Sequence, residues 1–405
     1  MKGKDYWVFN MNLFKKINYP RLALINFLVL TIFGIVLRYI QLYSVPFLNY
    51  QYILHAHSHF AFSGWMFFAL ALLISYQLWG KQLPSSVGFT FLFALISAYG
   101  MLISFLLQGY KPISITFSTI FILVTYCFTY VVFKGALLRN KVNSTAYKFI
   151  WGALIFLCIS SLGPFFLGPL SASGYKNSPL YQDAIYFYLH FQMNGFMVLA
   201  SLGLIATTLL KGGLSKNKRI WLDMFIYSTM PLYFIFTLWD KPDEPVRILA
   251  YLGAGLNLVS WFMLCLNFKA EWRRFSFLVK AALIAVTLKV IFQFLTCFPA
   301  IGDWVFLSRN LIIGYIHLLT LGIVMPVILV QLIKQGFFKN GKALKIINRC
   351  YLVITIVYLS LLFIQPLVSL MPVTIPKYQL LLFILCFSFL PVGSVFFVAT
   401  KKDNS

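Results

Sequence analysis

An all-α, polytopic membrane helix bundle is the fold class the sequence predicts, and three observations carry that expectation. Of 405 residues, 61% are hydrophobic and only 10% are charged. Mean hydropathy is +0.85, far above what a water-soluble domain tolerates. Long apolar runs recur along the whole chain, and the basic residues gather in alternate loops between them.

Each run is long enough to cross a bilayer, because a hydrocarbon core of about 30 Å takes about 20 apolar residues of helix. About twelve transmembrane helices are expected, at residues 21–43, 54–79, 86–108, 114–134, 147–170, 184–210, 219–239, 246–268, 276–298, 308–333, 346–370 and 378–400. The connections are short. Residues 1–405 therefore read as a single integral membrane domain, with an amino-terminal segment, 1–20, preceding a helix bundle over 21–400.

The net charge of +24 is explained by position and not by nucleic acid. Basic residues crowd the amino-terminal segment, the loops "KGALLRNKVNSTAYK", "KGGLSKNKR", "KAEWRRFSFLVK" and "KQGFFKNGKALKIINR", and the carboxyl end. The opposite loops hold only Lys111, Lys176, Lys241, Arg247, Arg309 and Lys377. This alternation predicts a multi-pass protein of the cell's inner (cytoplasmic) membrane with both termini cytoplasmic. The first apolar run continues as a full span, so it reads as an anchor and not as a removable leader. Six cysteines sit singly and predict neither a disulfide framework nor a thiolate metal site. No internal repeat is expected.

The five histidines are placed unevenly. His55, His57 and His59 open the second span in "ILHAHSHFAFSGW", His190 lies early in the sixth, and His317 lies early in the tenth. These three spans run in the same direction, which puts every imidazole near one side of the membrane. Ionisable groups at membrane depth usually face a bundle interior and mark function, although a single histidine is often a packed residue bonded to a neighbouring carbonyl. At about 100° per residue, His55 and His59 share one helix face while His57 points nearly opposite. Neutral imidazoles from two helices can clamp a haem between them. Gly64, Gly195, Gly314 and Gly322 near the histidines fit either the approach of a flat ring or close helix packing.

Other polar groups inside spans are few. Arg38, near the end of the first span, either pairs with a haem propionate or snorkels to the surface. Lys289 lies inside the ninth span with Gln293 one turn on, as a proton-path or packing cation. Asp223, beside a basic loop, reads as half of a plain ion pair.

Twelve spans with histidines on the second, sixth and tenth resemble subunit I of the haem-copper oxidases and nitric oxide reductases, including the related NnrS family. "HAHSHFAFSGW" is similar to the segment carrying the low-spin haem ligand, with His57 the best match and His59 the alternative. "HFQMNG" is similar to the reductase segment in which a histidine that binds the non-haem metal is followed four residues later by glutamate; here Asn194 takes that place. In the tenth span the family has histidine, any residue, histidine, whereas this chain has Tyr315, Ile316 and His317. The seventh span, "RIWLDMFIYSTMPLYFIFTLWD", lacks the family's histidine pair.

The resemblance, with these departures, implies a degenerate oxidase subunit I. It would bind one low-spin bis-histidine b-type haem through His57 and His317, with Arg38, Tyr315 and His59 as further cofactor-binding candidates. Copper is not expected. The implied role is electron transfer or sensing, in respiration or nitric-oxide stress, with a redox partner protein or quinol, and not catalysis. His190 is a relic, a proton-relay group, or the ligand of a weak metal with His55 and His59. The alternatives are a divergent oxygen or nitric oxide reductase subunit, and a haem-free transporter or channel with His/Lys proton sites.

Overall fold

A computed structural model describes residues 17–139, 145–209, 216–339 and 341–401. Most of the amino-terminal segment and the residues 140–144 and 210–215 of two basic loops lie outside the described residues. The chain is 87% helical, with no strand among the described residues. Twelve helices are long and apolar enough to cross a membrane: α1 Tyr19–Leu42, α2 Tyr50–Trp79, α3 Ser85–Gln108, α4 Pro112–Leu138, α5 Thr145–Ala172, α6 Pro179–Thr207, α7 Arg219–Asp240, α8 Glu244–Leu266, α9 Phe277–Thr296, α10 Arg309–Lys334, α11 Lys342–Val368 and α12 Tyr378–Ala399. All twelve expected spans are present. Several begin earlier than the apolar runs do, because the helix continues past the hydrocarbon edge until a cap stops it; Asn49 caps α2 by accepting from the Tyr52 N–H. A short helix, Pro299–Leu307, joins α9 to α10 and has no counterpart in the sequence reading.

Burial separates the helices into two classes. In α2 and α6, 94% of the apolar window is buried, and in α10 78%, against 28–50% in the other nine. The three buried helices touch one another, and the remaining nine surround them, with α12 packed back against α1. The inner helices are thus the second of each successive group of four. This period was not expected from sequence, and it is a correction: the bundle is a threefold repeat of four-helix units.

Local geometry repeats with the same period. Each inner helix carries one seven-residue π segment, Ala61–Phe67 in α2, Phe191–Met197 in α6 and Leu318–Val324 in α10. In each, a histidine is followed five residues later by glycine: "HFAFSG" from His59, "HFQMNG" from His190 and "HLLTLG" from His317. A π turn widens the helix and puts carbonyls out of register, so buried ones need partners from outside. Asn26 of α1 donates to the Gly64 carbonyl, and Tyr351 of α11 donates to the Leu321 carbonyl at 2.6 Å. Pro326 follows the third segment; it has no N–H to give the Gly322 carbonyl, and the wider turn relieves its ring. Gly195 is required by close approach, since a Cβ there would lie 2.5 Å from the Phe156 Cβ of α5.

Asn26 is fully buried, and its Oδ1 also accepts from the Tyr99 hydroxyl of α3 at 2.8 Å. Asn26→Leu keeps the volume but leaves two buried polar groups unpaired. Its expected cost is about 1–3 kcal/mol, read as a lowered thermal unfolding midpoint of the purified protein in detergent.

Candidate functional site

Each repeat histidine (His59, His190, His317) has a histidine or tyrosine two places before it (His57, Tyr188, Tyr315). Residues two apart on a helix point nearly opposite ways, so one inner helix presents the two to different neighbours. His57 and His317 border one cluster through α1 and Tyr358, His59 lies with Phe105 and Tyr110, and His190 is joined to Tyr315 through Asn194.

His57 of α2 and His317 of α10 border one cluster: His57 lies at Gly34 of α1, one turn before Arg38, and Arg38 bonds Tyr358, which packs on His317. His317 Nδ1 lies 2.8 Å from the Ile313 carbonyl one turn earlier. As donor there, Nδ1 carries the proton and Nε2 is left with its lone pair free, the tautomer that metal-binding histidines adopt. The His57 ring rests against α1 at Gly34, where an added Cβ would lie 3.4 Å from Cε1, and it has the Leu30 carbonyl near it. Its buried Nδ1 has no hydrogen bond of ordinary geometry.

Arg38 completes this group. It is 7% exposed and turned inward, donating to the Tyr358 hydroxyl of α11 at 2.8 Å and to Gln41 at 3.1 Å. It does not snorkel. Tyr358 in turn packs edge-on to His317, with ring centroids 5.4 Å apart. The described residues include two carboxylate ion pairs, Lys148 with Asp223 and Lys241 with Asp303, and neither involves Arg38. A buried guanidinium with no carboxylate partner among these pairs suits an anion, and imidazole is a usual ligand of haem iron. Arginine and histidine are the residue types that a haem with an ionised side group calls on.

The other histidines are occupied elsewhere. His59 stacks on Phe105 of α3 at 4.3 Å with 21° between planes, and bonds the Tyr110 hydroxyl at 2.6 Å. His55 lies edge-on to the same tyrosine, at 4.6 Å. The angular reading holds, since these two face α3 while His57 faces α1. His59 is thus not grouped with His317, and His57 is the α2 residue that borders the Arg38 cluster. His190 faces α7: Nε2 lies 2.8 Å from the Thr229 carbonyl, and Nδ1 lies 3.4 Å from the Asn194 amide. Both nitrogens are used. The weak metal site expected of His190 with His55 and His59 is not formed, because their helices turn them toward different neighbours. Among the described residues no group of three or more His, Cys, Asp or Glu side chains is placed to hold an ion.

The two positions that depart from the oxidase pattern meet each other. The Tyr315 hydroxyl donates to Asn194 Oδ1 at 2.6 Å, and Gln293 of α9 donates to the same oxygen at 3.3 Å. Tyr315 is therefore in the cleft of His190 and not with His57 and His317. Lys289 is 2% exposed, with its ammonium 6.0 Å above the Phe225 ring. Asp223 forms the expected ion pair, at 2.7 Å from Lys148.

Sequence reading missed the repeat of histidine and glycine five residues apart, which was visible in the three inner spans. It also missed Tyr358, a tyrosine in an ordinary apolar run with nothing to mark it. No family model matches the chain, and no curated protein matches it with significant similarity, so the geometry of these clefts is what a functional reading has to rest on.

Proposed function

We propose that this is a haem-binding protein of the cytoplasmic membrane, with both termini inside, that passes or senses electrons through one b-type haem between His57 and His317. The observation that carries the reading is the placement of two imidazoles around a buried arginine that has no carboxylate partner among the described residues. When bound, the haem supplies a one-electron iron couple. His317 and His57 would hold the iron, and the Ile313 carbonyl keeps the His317 ring in one tautomer and one orientation. Arg38 would meet a propionate, steadied by Tyr358. An iron held by both imidazoles would leave no place for a gas to bind. Electron transfer or sensing is thus favoured over the oxidase or nitric oxide reductase chemistry of the family the chain resembles. The engaged nitrogens of His190 favour the same choice.

The test is titration of the purified full-length protein with hemin. A six-coordinate, low-spin spectrum with a sharp α band on reduction is expected at one haem per chain; a protein that stays colourless, or binds haem with an open position, refutes the reading. Arg38→Leu is expected to weaken haem retention by about 10-fold, the scale of one charge-assisted hydrogen bond.

A further inference from the structure

The His190 cleft contains a cavity of about 300 Å³ that the haem reading does not use. It lies among α6, α7, α9, α10, α11 and the short helix Pro299–Leu307. Its wall is apolar and largely aromatic, with Phe236, Phe292, Trp304 and Phe363 contributing flat faces. Leu295 and Leu367 line it and are themselves 37% and 50% exposed, so the cavity reaches the outside of the bundle between α9 and α11. In a membrane-spanning bundle that surface meets lipid, and the natural visitor is a molecule dissolved in the bilayer.

Polar groups gather at one end of the cavity: His190, Asn194, Gln293 and Tyr315. Most of their hydrogen-bonding capacity is spent. His190 uses both nitrogens, Asn194 Oδ1 accepts twice, and the Tyr315 hydroxyl donates to it. One acceptor is left over: Gln293, 3% exposed, has a buried Oε1 with no partner. An unpaired carbonyl oxygen in so apolar a place is costly, and it asks for a hydrogen-bond donor. Gln293 lines the cavity, so a donor seated there is the partner this oxygen lacks.

We infer that this cavity binds a lipophilic phenol, the chemical class that includes membrane hydroquinones, with its ring between the aromatic faces and its hydroxyl donating to Gln293 Oε1. Aromatic walls reward a flat ring, the wholly unpartnered Gln293 oxygen favours a hydroxyl donor over an ether, and the exposed leucines give an alkyl tail its exit. The inference does not depend on haem, because the His57 pair lies on the other side of α10.

The experiment uses 4-decylphenol bearing a diazirine in its chain, photolysed with the full-length protein in lipid nanodiscs. Labelling is expected on peptides containing residues 186–194 and 292–316. Unlabelled 4-decylphenol should displace the probe at about 10-fold lower concentration than 4-decylanisole, its methyl ether, the ratio one buried hydrogen bond supplies. Gln293→Leu should abolish that preference while leaving both compounds able to bind. Equal displacement by phenol and ether on the unaltered protein overturns the inference without reference to any variant, as does labelling spread over the lipid-facing surface. The readout involves no optical haem signal, so its failure and failure of the haem reading are distinguishable.

Discussion

Replacing His317 with alanine is expected to strip haem from the protein. The variant, reconstituted with hemin and passed through a desalting column, should keep less than about a tenth of the Soret absorbance of the unaltered chain. Loss of an outer-shell partner of a metal ligand already costs about 10–100-fold in affinity, and removing an axial ligand should exceed that. His57→Ala should behave alike, because in the proposed site both rings would hold the iron. His59→Ala and His190→Ala are the controls. His59 is stacked on Phe105 and His190 is tied to Thr229 and Asn194, so their removal should leave the spectrum in place. Binding that survives in both His57→Ala and His317→Ala, or that is lost in His59→Ala, would place the haem elsewhere or nowhere.

Topology was legible in the sequence because it follows from a coarse quantity. A helix that meets lipid must be apolar for about 20 residues, and each of the twelve runs says so independently. The direction of His57 was legible too, since a step of two residues on a helix reverses a side chain regardless of surroundings. What could not be read was which helices lie inside. In water an inner helix betrays itself by being apolar all round, but in a bilayer the outer helices are apolar as well, and the contrast vanishes. The inner class shows instead in its polar residues. His59, His190 and His317, each five residues before a glycine, mark α2, α6 and α10. The π segments were invisible because they depend on partners far along the chain, such as Asn26 for Gly64 and Tyr351 for Leu321. Likewise Arg38 was ambiguous between surface and interior until Tyr358, on a helix near the other end of the chain, supplied an inward hydrogen-bond partner.

The largest effect on folding is expected at Asn194, and the reason lies in how many partners share it. It is 3% exposed, its Oδ1 accepts from Tyr315 and Gln293, and its amide nitrogen lies beside His190 Nδ1. One side chain thus joins α6, α9 and α10. Asn194→Leu is close in volume, so packing should change little, but a hydroxyl, an amide and a ring nitrogen lose their partner together. At about 1–3 kcal/mol for each buried group left unpaired, offset because loosened helices in a membrane find other partners, the expected cost is about 2–4 kcal/mol. Tyr315→Phe removes one donor and should cost about 1 kcal/mol. The two together should cost less than the sum, because the Tyr315 hydroxyl that Asn194→Leu strands is absent in the double variant. Thermal unfolding of the four proteins in one detergent measures this cycle directly. A simple additive result would mean that the Tyr315–Asn194 hydrogen bond contributes nothing to holding α10 against α6, and that the cleft is kept together by its apolar walls alone.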